Sequence, residues 1–236
     1  MKMIKAGVVV LLFAAALPAS ALVVDSFEVG PLSVTDSSAN AISESTVVTG
    51  LPIGPTMVGE RRTTVNLTAG TSVSASLSPD AFPGADDAIA FTFASGSTGT
   101  ASTMQFKPIN SVDATVNGHD RFFVDIISAP ALGTLIFGVE DVILDEVTTF
   151  AQPITGPGIY EILYSDFVFL PGNFTGFDVL ALVLAQVELD TPQASAVTYE
   201  ISEIRTGTAL PEPSSVVTSA AGLLILLGVA MRPRVR

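Results

Sequence analysis

Apolar and polar residues alternate along most of the central chain. In 71–78, Val73, Ala75 and Leu77 fall on one side, with Ser72, Ser74, Ser76 and Ser78 on the other. Val65 and Leu67 within 63–68, then Ile89, Phe91 and Phe93, repeat the pattern, as do Val197, Tyr199 and Ile201 within 197–204. A period of two sends successive side chains to opposite faces of an extended backbone, so each run predicts a half-buried strand. Other runs are apolar at most positions: 121–128, with Phe122, Phe123, Val124, Ile126 and Ile127, then 132–139, 160–170 and 179–189. These predict strands covered on both faces. Segments 25–34 and 46–50 add two more near the start. Ala69-Gly70 predicts a hairpin and Asn117-Gly118 a tight turn; 79–84, 96–99, 153–158 and 171–176 predict loops. Neither a long amphipathic helix nor a 20–50-residue repeat interrupts the strands. Short strands with turns every ~10 residues predict an all-β fold, a single antiparallel β-sandwich of jelly-roll-like character.

Both ends of the chain break this pattern. Lys2 and Lys5 precede an apolar run over 6–17, and Ala19-Ser20-Ala21 follows. A basic start, a short apolar core and small residues spaced by one predict a signal helix over 1–21 cleaved after Ala21, with Leu22 first in the mature protein. At the other end, Pro211-Glu212-Pro213 precedes an apolar stretch over 215–231, and Arg232, Arg234 and Arg236 close the chain. As a helix that stretch spans roughly 26 Å, just under the ~30 Å hydrocarbon core. The arginines favour keeping the extreme end in the cytoplasm. The expected organisation is therefore a signal peptide over 1–21, an extracellular β-sandwich over 22–208, and a sorting segment with a transmembrane helix over 209–236.

The order of Pro211-Glu212-Pro213, apolar helix and Arg232, Arg234 and Arg236 resembles the PEP-CTERM sorting signal of exported proteins from Gram-negative bacteria that make exopolysaccharide. That resemblance covers 211–236. It implies recognition of the tail by exosortase, a membrane-embedded cysteine transpeptidase, after Sec-type export and a transient stay in the inner membrane. The mature protein would then reside at the cell surface or in the medium. Leu210-Pro211-Glu212-Pro213-Ser214 departs from the LPxTG sortase signal, with Pro213 in place of Thr and Ser214 in place of Gly. A glycolipid-anchor signal would end in its apolar stretch, not in arginines. The body is similar to such exported proteins in three places: Val24-Asp25-Ser26-Phe27 just past the signal, Gly59-Glu60-Arg61 before two strands, and the closing runs 179–189 and 197–204. Those relatives look like jelly-roll sandwiches.

Charge narrows the partners. Between Leu22 and Pro213 only Arg61, Arg62, Lys107, Arg121 and Arg205 stand against 23 acidic residues, a formal charge of −18. Such a body repels nucleic acid and anionic lipid. The absence of cysteine removes thiol catalysis, thiolate metal sites and disulfides together. The single histidine, His119, follows Asn117-Gly118 and reads as an exposed turn residue; no Gly-x-Ser-x-Gly elbow accompanies it. Glu140, Asp141, Asp145, Glu146 and Glu161 could supply the two carboxylates of a glycoside hydrolase, although strand positions alone do not fix their separation. Asp25, Asp86 and Asp87 are candidate oxygen ligands for a structural calcium, without the Asp-x-Asp-x-Asp-Gly loop that would define one. No phosphate-binding glycine motif is present. The expectation is a non-enzymatic surface or matrix protein with no catalytic residue and no obligatory cofactor, associated with exopolysaccharide. The alternative is a carbohydrate-binding module, calcium-dependent if the aspartates cooperate, and a secreted hydrolase comes third.

Overall fold

The computed structural model describes residues 21–40, 42–51, 59–77, 87–106, 114–115, 118–130, 132–141, 146–167 and 180–208. The segments assigned above to signal peptide, sorting motif, transmembrane helix and basic end lie outside these, apart from Ala21. Among the described residues no helix is long and apolar enough to cross a membrane.

Among the described residues thirteen strands form two antiparallel sheets. In chain order they are β1 Val23–Asp25, β2 Leu32–Asp36, β3 Glu44–Thr49, β4 Glu60–Ala69, β5 Val73–Leu77, β6 Ile89–Phe93, β7 Thr98–Phe106, β8 Arg121–Ser128, β9 Thr134–Asp141, β10 Glu146–Pro153, β11 Gly158–Leu163, β12 Leu180–Leu189 and β13 Val197–Gly207. One sheet runs β11-β8-β13-β6-β5-β2, with β1 beside β13; the other runs β10-β9-β12-β7-β4-β3. The expected all-β sandwich is thus present. Its alternating residues face the core as their period demands: Val73, Ala75, Leu77, Ile89, Phe91, Phe93, Val65 and Leu67 are all buried. Fully burying each large side chain contributes ~1.5–3 kcal/mol.

Four expectations need correcting. Ala69-Gly70 does not close a hairpin, because β4 and β5 belong to different sheets. Gly70 turns the corner with φ of +102° and its Cα packed against Ser97, where a Cβ would lie 2.4 Å from the Ser97 Cα. The Ser97 hydroxyl accepts the amides of Thr71 and Ser72, fixing the chain as it changes sheet. Segment 25–34 is not one strand: β1 ends at Asp25 and β2 begins only at Leu32, since the Asp25 carboxylate accepts the Phe27 amide and holds Phe27 at φ of +59°. The strand expected over 160–170 ends at Leu163, whose amide donates to Asp166 as the chain winds into a 3-10 turn over Tyr164–Asp166, while 168–170 lie outside the described residues. His119, expected on the surface, is only 3% exposed.

The last strand organises the first sheet. β13 pairs with β6 through Val197–Ile201, with β8 through its later residues, and with β1 at Ile204 and Arg205. Two register shifts near Ile201 change its phase, so Tyr199, Ile201, Ile204 and Thr206 all turn inward. The Thr206 amide donates to the Leu22 carbonyl. The chain therefore enters the body beside the point where it leaves. We call this end the near pole and the opposite end, where β12 passes to β13, the far pole.

Candidate functional site

The near pole is closed by polar groups that satisfy one another inside the protein. Asp25 on β1 and Arg61 on β4 face each other across the sandwich core. Arg61 Nε donates to one Asp25 oxygen at 2.7 Å and Nη2 to the other at 2.6 Å, while Nη1 donates to the Val29 carbonyl at 2.9 Å. The guanidinium also lies 5.0 Å from the centroid of the Phe27 ring. The Gln105 amide donates to Asp25 at 3.2 Å and to Thr103 at 3.1 Å. Both charges are almost wholly removed from water, which is tolerable only because each carboxylate oxygen accepts one hydrogen bond from the guanidinium fork and a second from the Phe27 backbone amide or the Gln105 side chain. Asp25 is thus committed to an arginine and does not act as a free calcium ligand in this arrangement. Asp87 is half-buried just before β6, and Asp86 lies outside the described residues. Among the described residues no group of three or more His, Asp or Glu is placed to hold a metal ion.

His119 completes the same pole. Its Nδ1 lies 2.7 Å from the Thr206 hydroxyl, and the neighbouring Asp120 amide donates to the Gly207 carbonyl. Arg121 then bridges Asp120, at 2.8 and 3.1 Å, and Glu161, at 2.6 Å. The hydrogen bonds from Arg121 hold the Asp120 carboxyl below the ordinary carboxylate range. Glu161 is therefore an ion-pair partner on the first sheet, whereas Glu140 sits on β9 of the second. Asp141 and Glu146 oppose each other in register where β9 meets β10, and Asp145 lies outside the described residues.

The far pole is open. Leu132, Gly133, Thr134, Glu188, Leu189, Asp190, Thr191 and Gln193 line a depression of about 220 Å³. Its walls follow from strand register: Thr134 opens β9 opposite Glu188 near the end of β12, and the chain then turns through Asp190 and Thr191 toward β13. Gly133 is required, since its φ is +85° and a Cβ would lie 2.8 Å from the Tyr199 hydroxyl and 2.9 Å from the Glu188 carbonyl. That Tyr199 hydroxyl donates to the Leu132 carbonyl at 2.9 Å, and burial pushes its pKa up to about 12. Burial, and then the adjacent Asp190 carboxylate, hold the Glu188 carboxyl above its ordinary value. A second depression on this pole is lined by Ala39, Asn40, Asn66, Leu67 and Thr68. Carboxylates, an amide and hydroxyls gathered in an open hollow present acceptors and donors at several angles. Such a set matches the hydroxyls of a polyol rather than an anionic or apolar ligand.

The sequence signal for this site was present and unread. Glu188-Leu189-Asp190 at the end of a strand places two carboxylates on one side by the period-two rule. The sorting residues Pro211, Glu212, Pro213, Arg232, Arg234 and Arg236, with Ala19, lie outside the described residues. Ala21 is exposed, one residue before the Leu22 carbonyl that β13 captures.

No family model matches the chain, and no curated protein does. Among solved structures the chain is similar to a family 11 carbohydrate-binding module from Clostridium thermocellum in complex with a β-1,3-1,4-mixed-linked tetrasaccharide. The identity is 14%, the match covers 81% of this chain and 98% of that one, and the TM-score is 0.39. TmCBM61 in complex with β-1,4-galactotriose matches at 11% identity over 63% of this chain and 88% of that one, with a TM-score of 0.37. An exo-β-agarase matches at 15% identity over 59% of this chain and 22% of the enzyme, with a TM-score of 0.38. Likeness at this level carries no argument about ligand or activity.

Proposed function

We propose that this protein is an exported, non-enzymatic β-sandwich, sorted through its C-terminal tail by an exosortase-type transpeptidase and displayed at the cell surface or in an exopolysaccharide matrix. The observation that carries the reading is the pairing of β1 with β13. It sets Leu22, the residue after the expected signal cleavage, beside Thr206, five residues before Pro211. Both targeting segments thus leave the body at one pole, and both can be removed without cutting into a strand. By sequence, Pro211 and Pro213 flanking Glu212 would favour an extended segment, the form a peptide-cleaving enzyme needs. Replacing Arg232, Arg234 and Arg236 with Ser is expected to impair retention and tail removal in cells. A mutant with unchanged location and unchanged mature mass would overturn the sorting reading.

The open depression at the far pole favours a second reading that is compatible with the first: the body binds neutral polysaccharide. A glycan array with and without EDTA tests it. Binding that survives EDTA and falls in Asp190→Ala supports the depression, whereas binding lost with EDTA returns the calcium-dependent form. An array with no signal for any glycan removes this reading and leaves sorting intact.

A further inference from the structure

Strand register joins the two far-pole depressions across the second sheet. Leu135, Val187, Ala101 and Val65 are paired neighbours on β9, β12, β7 and β4, and all four are fully buried. Side chains alternate along a strand, so the residues flanking these four face outward. Toward the far pole they form the row Thr134, Glu188, Thr100 and Asn66, each half-buried. The next row is Ile136, Gln186, Ser102 and Thr64. Thr134 and Glu188 line the first depression and Asn66 lines the second. One outward row therefore connects the two hollows.

Residue size and strand length give this row its shape. Thr100 and Ser102 on β7 are short, and Ser102 folds back to donate to the Thr64 carbonyl at 3.4 Å. The longer Gln186 and Glu188 stand on one side of them and Asn66 on the other. β3 begins at Glu44 opposite Val65, so β4 runs past the end of its partner at Asn66 and Leu67. There the Asp36 carboxylate accepts the Leu67 amide at 2.8 Å, and Ala39 and Asn40 wall the second hollow. Three inter-strand steps make the track ~14 Å long, and two residues along a strand make it ~7 Å wide.

Its chemistry is that of amides and hydroxyls. Among the described residues the basic side chain on this face is Arg62, which lies four residues along β4 from Asn66 and 3.7 Å from Glu60. An anionic polymer would meet Glu188 and no cation beside it. The side-chain oxygen of Asn66 is buried and has no hydrogen-bond partner among the described residues. Such an acceptor is costly to leave unmet. The last torsion of an asparagine is soft, so a small rotation presents that oxygen to a hydroxyl entering the hollow.

We propose that the two hollows are the ends of one track that takes an internal stretch of a linear, neutral, hydroxyl-rich polysaccharide laid across the strands of the second sheet. This rests on the reading of the far pole as a polysaccharide site and adds the shape of the ligand: an unbranched chain longer than a disaccharide, held along its length with both ends free. Hydroxyls on successive sugars meet Glu188, Thr100 and Asn66 in turn.

The test is a glycan array carrying ladders of linear glucans, galactans, mannans and xylans from monosaccharide to hexasaccharide, probed with the full-length protein in a sugar-free detergent. The expected signal climbs beyond the disaccharide and then levels off. Asn66→Ala is expected to weaken binding of the longer members roughly five- to tenfold, the worth of about one hydrogen bond, and to spare the disaccharide. Thr100→Lys lays a long side chain across the middle of the track and is expected to abolish the gain with length. Thr92→Val, on the outer face of the first sheet, where its hydroxyl lies 3.0 Å from that of Thr198, is expected to leave the ladder unchanged. Either track variant, shown to be folded by its Tm, is sufficient. Equal binding of disaccharide and hexasaccharide, or long-chain binding untouched by the track variants, overturns the track and leaves a single-hollow polysaccharide site. No signal from any ladder overturns the polysaccharide reading and the track with it.

Discussion

At the near pole each described arginine meets a carboxylate; at the far pole Glu188 and Asp190 meet each other. The same chain, with a strongly acidic body, thus treats charge in two ways. Near the termini it pairs every described arginine with a carboxylate, and in the case of Asp25 and Arg61 it does so inside the core. Burying an ion pair rarely adds net stability over well-packed apolar residues, but it strongly penalises arrangements that leave either charge alone. Here the pair ties β1 of one sheet to β4 of the other, so it selects the state in which the first strand has docked. The far pole carries no such constraint, and its carboxylates remain available to a ligand. The difference teaches that the acidic composition has two separate uses: locking the chain ends, and lining an open hollow.

The largest effect that would test this contrast comes from Arg61→Met. It leaves the Asp25 carboxylate buried without its partner, and urea unfolding is expected to show a loss of about 3–5 kcal/mol. The matching change at the far pole, Asp190→Ala, is expected to stay within about 0.5 kcal/mol of the parent. Similar losses at both poles would break the comparison. A middle-sized effect sharpens it. Gly133→Ala places a Cβ against the Tyr199 hydroxyl and the Glu188 carbonyl at a positive φ, and a cost of about 1–3 kcal/mol is expected. That outcome would mean that the far pole is open by construction rather than by loose packing. An unchanged midpoint would mean that the hollow yields easily.

The smallest effect concerns protonation. The Glu188 carboxyl is raised above its ordinary 4.5 by burial and by Asp190. The folded state then holds that proton more tightly than the unfolded state does. Ionised Glu188 therefore costs stability above its folded pKa, and the cost fades as pH falls through the ordinary value. Glu188→Gln is expected to raise Tm slightly at neutral pH and to leave it unchanged in acid. A variant less stable at neutral pH, or one whose gain persists in acid, would show that the shift has been assigned the wrong sign.

Much of the fold could be read from period-two alternation, because one covered face imposes that pattern on residues such as Val73, Ala75 and Leu77. What alternation could not show was which sheet a strand joins. Ala69-Gly70 has hairpin chemistry, yet Ser97 captures the next two amides and carries the chain to the other sheet. Phe123 reads as core from sequence and is buried for another reason, under the Arg205 guanidinium 4.7 Å from its ring centroid. His119 was misjudged because its partner, Thr206, is 87 residues away. The near-pole pair is the more instructive case. Phe27 and Arg61 stood out only through likeness to other exported proteins and Asp25 also as a candidate calcium ligand, and the structure brings the three into one cluster. The hollow was missed because Glu188 and Asp190 looked like two more acids in an acidic chain; only the return of Gly133 and Thr134 beside them makes a wall.

The most direct test of the claim that one pole carries both removable targeting segments is the intact mass of the protein recovered outside the cell. The account predicts a polypeptide that begins at Leu22, ends close to Pro211-Glu212-Pro213 and retains all thirteen strands, plus the mass of anything attached at the new end. Exported protein that still carries residues 215–236, or that has lost Leu22 to Asp25 and with them the first strand, would contradict it.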